Sequence, residues 1–93
     1  MPAKIVHVNT ARGYRGGERQ TELLIRGLAR RGVRQALVTR RGAPLGARMR
    51  DLDIEVREVA GGLASVTRAT RDASLIHVHE GRSVYAALVH MDQ

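Results

Sequence analysis

Cysteine, tryptophan and phenylalanine are absent from this 93-residue sequence, and proline and tyrosine occur only twice each. Without cysteine there is no disulfide framework, no thiolate metal site and no cysteine nucleophile. An oxidising compartment is therefore not required. No apolar run approaches the roughly 20 residues of a membrane-spanning helix. The opening stretch, MPAKIVHVNT, has too short an apolar part for a signal peptide and leads straight into a strand pattern. A cytoplasmic location is expected, with peripheral association to an anionic membrane as an extension of it. With Tyr14 and Tyr85 as the sole aromatic residues, the stacking platforms of nucleic-acid-binding surfaces are missing, and no nucleic-acid partner is expected.

Lysine is scarce as well. Of sixteen basic residues only Lys4 is lysine, and the formal net charge is +7. Such a surface field attracts phosphates, polyanions and anionic lipid alike, and composition does not choose among them. The length allows one small domain, which buries about 60–65% of the surface its unfolded chain exposes.

Four β-rich runs recur: Lys4–Asn9, Arg34–Thr39, Ile54–Val59 and Ser74–His79. The first, second and fourth carry adjacent apolar residues, as strands covered on both faces do. The third alternates, with Glu55, Arg57 and Glu58 among Ile54, Val56 and Val59, which predicts an edge strand with one wet side. No hairpin dipeptide joins any two runs, and each gap is long enough for a crossover helix, so the strands are expected to be parallel.

The clearest helix is Glu18–Arg31. Leu24, Leu28 and Arg31 lie along one stripe, with Thr21, Ile25 and Ala29 beside it. Glu18 and Glu22 suit the positive end of the helix dipole, Arg30 and Arg31 the negative end, and Gly32 is the stop. Glu22 and Arg26 form a favourable i,i+4 pair. Shorter helices are predicted over Pro44–Asp51 and Ala64–Asp72, and a fourth from Arg82 or Ser83 onward. The order β-α-β-α-β-α-β-α predicts an α/β fold, a partial Rossmann-like domain of four parallel strands in spatial order 3-2-1-4. The very apolar fourth strand then becomes an edge. Either further chain beyond Gln93 or another molecule is expected to cover it, for example a second copy docked at the 74–79 edge.

In an open parallel sheet, ligands bind beyond the carboxyl ends of the strands where the strand order reverses. Here that point lies between the first and fourth strands. The loop Thr10–Gly17 and the turn Glu80–Ser83 border it. Gly16 and Gly17 stand at the start of the long helix, where unpaired amides face an anion such as a diphosphate. Arg12, Arg15 and Arg19 add positive charge. The alternative is a tight turn that needs glycine for its own backbone. Neither GxGxxG nor a Walker A loop is present. His79 and Glu80 are candidate ligand contacts, although Glu80 could merely open the fourth helix. His7 and His77 fit satisfied strand histidines. His77 and His79 share a face by period 2, but with Glu80 they lack the spacing of a metal motif, and no metal ligand is expected. Ser65 and Ser83 sit in no nucleophile elbow. The arginines at 40, 41, 48 and 50 read as a solvated face, with a polyanion or lipid surface as the sharper alternative.

Taken in order, KIVHVN, RGYRGGERQTELLIRGLARRG, QALVTRRGAPL and SLIHVHEGRSVYAAL resemble the N-terminal domain of GT-B glycosyltransferases of family 4 (group 1), the retaining enzymes. The helix follows the pattern GG-E-x5-L-x3-L-x2-R-G, while Ser74 stands near where the family often has Asp. Among family members, lipopolysaccharide and related cell-envelope sugar transferases look nearest. The resemblance implies two Rossmann-like domains across a cleft, an N-terminal one for the acceptor and a C-terminal one for the nucleotide-sugar donor. Residues 1–93 would be the acceptor-side domain, incomplete. Gly16, Gly17 and Glu18 would approach the donor diphosphate, and Arg12, Arg15, Arg19, His79, Glu80 and Arg82 would line the acceptor side of the cleft. It implies no metal and no cofactor beyond the nucleotide-sugar co-substrate, with a glycan or lipid-linked acceptor as the other partner. The family's further N-domain strands, the histidine after them and its C-terminal E-x7-E motif are absent. No catalytic residue is therefore expected in this chain, which should not transfer sugar by itself. Two alternatives stay open: a standalone basic module that binds a nucleotide or polyanion, and a non-catalytic fragment stabilised by oligomerisation.

Overall fold

The computed structural model describes residues 4–79. The predicted fourth helix, with Glu80, Arg82 and Ser83, lies outside that range. The elements are β1 (Lys4–Asn9), α1 (Gly16–Arg30), β2 (Arg34–Arg40), α2 (Pro44–Arg48), β3 (Glu55–Val59), α3 (Leu63–Ala69) and β4 (Leu75–Val78). All strand pairs are parallel, and the sheet order is β3-β2-β1-β4. This is the α/β crossover fold that the alternation of strand and helix patterns predicts.

Alternation along the strands divides the core in two. Val6, Val8, Ala36, Val38 and Val59 point to one face, where Val66 of α3 covers them. Leu37 points to the other, under Ile25 of α1 with Leu45 and Met49 from the α2 region. Placing α1 and α2 on one face and α3 on the other is what right-handed crossovers require when the chain steps from β3 back past β1 to β4. α1 ends in a Schellman motif: Val33 N donates to Leu28 O at 3.1 Å and Gly32 N to Ala29 O at 3.0 Å. Gly32 takes φ +75°, a left-handed value that only glycine adopts without strain.

The buried stripe of α1 differs from the one the leucine spacing predicts. Glu18, Thr21, Glu22 and Ile25 face the sheet, whereas Leu24 is 36% and Leu23 51% exposed. The cause is the sheet surface below. β1 and β2 present His7, Asn9, Gln35 and Thr39 there, all buried. Buried polar groups are costly unless paired, so α1 turns Thr21 and Glu18 toward Asn9 and a backbone carbonyl toward Gln35. Asn9 Nδ2 donates to Thr21 Oγ1 at 3.1 Å, and Gln35 Nε2 to Ile25 O at 3.0 Å. Leu24 is left on the flank of α1 away from α2.

Two ionic hubs fasten the layers. Glu22, nearly buried on α1, accepts from Arg26 at 2.9 Å, Arg48 at 2.6 Å and the Tyr14 hydroxyl at 2.5 Å. Arg26 also grips Asp51 through two nitrogens at 3.2 Å each. On the other face, Arg57 of β3 forks onto Asp72 with two 2.7 Å bonds and onto Glu55 at 2.8 and 3.0 Å. It also donates to Ala69 O at 2.6 Å, the end of α3. The charged side of β3 is thus not simply wet as its alternation suggests; Glu55 and Arg57 join the edge strand to the end of α3.

Candidate functional site

β1 and β4 run side by side with Val8 opposite Val78, and His79 N donates to Val8 O at 3.0 Å. The loop leaving β1 and the end of β4 therefore share the carboxyl rim of the sheet, at the reversal of strand order. α1 begins at that rim. Its first backbone bond is Arg19 N to Arg15 O at 2.9 Å, so the amides of residues 16–18 precede the helical ladder.

Glu18 works as a strut in this turn. One carboxylate oxygen accepts from the Arg15 amide at 3.0 Å, and the other accepts from Asn9 Nδ2 at 3.3 Å. Asn9 Oδ1 in turn accepts from the Ala11 amide at 3.1 Å. Only the backbone N–H of Glu18 could donate to an anion, since a carboxylate accepts hydrogen bonds and does not donate them. Gly16 and Gly17 need no left-handed backbone; among the described residues the glycines with positive φ are 32, 42, 61 and 62. A Cβ on either would meet nothing within 4 Å. Among the described residues, neither a left-handed backbone nor a close contact requires glycine at these two positions. Arg12, Arg15 and Arg19 are exposed around them.

The arginines near α2 are largely committed to the fold. Arg40 donates to Thr10 O at 2.8 Å and Ala60 O at 2.9 Å, tying the rim loops after β1 and β3 together. Arg48 lies 4.4 Å above the Tyr14 ring while bonded to Glu22, and Arg50 pairs with Glu58 at 2.9 Å. Arg40, Arg48 and Arg50 are thus paired within the fold, while Arg41 is exposed.

A second group on the β1–β4 pair was only half disclosed by sequence spacing. His7, His77 and His79 lie on one face of the β1–β4 pair, and one ring nitrogen from each lies within 4.8 Å of the other two. His7 Nδ1 is 3.1 Å from His79 Nε2, and the His77 and His79 rings are 4.2 Å apart between centroids. His7 Nε2 lies 2.7 Å from Gln35 Oε1. Because Gln35 Nε2 donates to a main-chain carbonyl, its oxygen must face His7, and His7 Nε2 must carry the proton. The Nδ1 lone pair then points into the cluster. Burial pushes the His7 pKa down, with the charge of His77 adding to it and the Gln35 bond opposing. Burial, together with His77 and His7, pushes His79 down to about 4. His7 and His79 are accordingly neutral near pH 7.

His79 is thus brought to the rim with the loop residues, while Glu80 and Arg82 lie outside the described residues. By sequence His7 fits a satisfied strand histidine; its register with His77, from the aligned IVHV and LIHV segments, is the signal that joins it to the pair. Among the described residues no helix is long and apolar enough to cross a membrane. No family model, curated protein or solved structure matches the chain.

Proposed function

We propose that this chain is the acceptor-side, Rossmann-like part of a retaining GT-B glycosyltransferase, whose complete form moves a sugar from a nucleotide diphosphate to a cell-envelope or lipid-linked acceptor. One observation carries the proposal: Gly16 and Gly17 lack side chains where the protein's own backbone and packing impose no such need, at the start of a 15-residue helix on the carboxyl rim. Space of that kind suits close approach by a diphosphate, which the helix dipole and the exposed Arg12, Arg15 and Arg19 would hold. Pairing of Arg40, Arg48 and Arg50 within the fold weighs against a general polyanion-binding module, although Arg41 is exposed. Exposed Leu75 on β4, at 58%, favours oligomerisation through that edge as the second reading.

The test is transfer by the full-length gene product, assayed against a panel of nucleotide sugars with membrane-lipid and glycan acceptors. Release of nucleoside diphosphate with labelled product supports the proposal. Absence of both transfer and nucleotide-sugar binding overturns it, and a dimer in light scattering that Leu75→Lys dissolves then favours the second reading.

A further inference from the structure

We infer that His7, His77 and His79 form a binding site for a late first-row divalent cation, zinc in the first place. The inference stands apart from the glycosyltransferase proposal, for which no metal is invoked. Three imidazoles and no carboxylate make a donor set that suits zinc, cobalt, nickel or copper and not magnesium or calcium.

The geometry is close to that of a bound set. With zinc–nitrogen bonds of about 2.0–2.1 Å, two ligands of a tetrahedral site lie roughly 3.3 Å apart. His7 Nδ1 and His79 Nε2 are already at 3.1 Å. The third nitrogen lies within 4.8 Å of both, and its residue, His77, is exposed, so a small ring movement closes the set. A second observation points the same way. His7 is buried with its far nitrogen donating to Gln35, which is anchored in turn on α1 through Ile25 O. Metal-ligating histidines are oriented by such an outer partner, which fixes the tautomer and aims the lone pair. His79, now placed to donate from Nε2 to His7, would shift that proton to Nδ1 to free its lone pair, with no change in net charge. Three protein ligands leave a fourth position, open on the His77 side, where water or an anion binds; this is the arrangement of a catalytic rather than a structural zinc site.

The experiment uses the full 93-residue chain without a histidine tag, titrated with Co2+ by visible absorption and with Zn2+ by calorimetry. One equivalent is expected, with the intense d–d bands of four-coordinate cobalt. His77→Ala, at an exposed position, should leave the circular dichroism unchanged and weaken binding at least tenfold. Gln35→Leu should weaken it roughly 10- to 100-fold. His90→Ala, the remaining histidine, should change nothing. No one-to-one saturation by a chain that is folded, or saturation indifferent to His77→Ala, overturns the inference.

Discussion

His7 Nδ1 and His79 Nε2 stand 3.1 Å apart although 72 positions separate the two residues. Parallel pairing makes the contact: His7 is opposite His77, and the period of two returns His79 to the same face one step nearer the rim. With His7 buried and His79 partly buried in this cluster, protons on these two rings are disfavoured. That sets how the fold responds to acid.

That response has a defined sign. His7 and His79 have native pKa values below that of free histidine, His79 at about 4, so between about pH 6.5 and 4 the unfolded chain binds more protons than the native one. Stability is flat in this respect above about pH 6.5 and falls as the pH drops toward 4. A second decline follows at lower pH. Bonds from Arg57 and Lys4, against the cost of burial, hold Glu55 at about 2, and Asp72 is also held low by Arg57 and Lys4. Urea midpoints measured from pH 8 to 3 should therefore decline in two stages. His79→Gln should reduce the first stage, leaving the part due to His7, and leave the second; a midpoint constant from pH 7 to 5 in the parent would contradict the assignment.

Gly46 tests packing between α2 and the sheet. A Cβ there would lie 2.9 Å from Thr39 Cγ2 and 3.7 Å from Val56 Cγ1, so something must move. Thr39 is fully buried on a central strand and has little room to give. Gly46→Ala should destabilise by about 1–3 kcal/mol, despite the helix preference for alanine. Thr39 Oγ1 is also the buried side-chain polar atom that has no hydrogen-bond partner among the described residues. Thr39→Val keeps the shape and removes that cost, and should stabilise by about 1 kcal/mol in denaturant unfolding.

Glu22 separates a buried ionic centre from its exposed partners. Burial works against its charge, yet bonds from Arg48, Tyr14 and Arg26 outweigh that and hold its carboxyl at about 2. Glu22→Gln leaves Arg26 and Arg48 facing a neutral group and should cost about 2–4 kcal/mol. Arg48→Ala should cost about 1 kcal/mol or less, because that side chain is 52% exposed and Arg26 remains. Chemical denaturation of the two variants and their combination gives the coupling; equal losses from the two single changes would count against Glu22 as the centre.

The strand order was legible because four β-rich runs without hairpin turns, separated by helical spacing, leave few parallel arrangements, and the charged third run suits an edge. The Gly32 stop and the Glu22–Arg26 pair were legible because both are local. What escaped depends on surfaces that meet only after folding. Leucine spacing pointed to Leu24 as buried, but β1 carries Asn9 on that face, and the need to pair it rotates Thr21 and Glu18 inward. Likewise, the charges of β3 read as solvated until Asp72, at the end of α3, arrives beside Arg57. His7 read as an isolated strand histidine because its partners come from the far end of the sheet.

Gly17 and Gly32 offer a contrast that separates backbone need from ligand need. Gly32 holds φ +75°, which a β-branched residue resists, so Gly32→Val should cost about 1–2 kcal/mol or more. Gly17 has no positive φ, and an added Cβ meets nothing within 4 Å, so Gly17→Val should shift the unfolding midpoint little, within about 0.5 kcal/mol. In the complete enzyme of the proposed function the same valine would stand between the helix amides and a diphosphate, blocking close approach. Donor turnover should then fall steeply while circular dichroism and thermal midpoint stay near the parent values. Undiminished turnover by Gly17→Val would detach the glycine pair from phosphate binding, and a large loss of stability would mean that the turn needs glycine for its own sake.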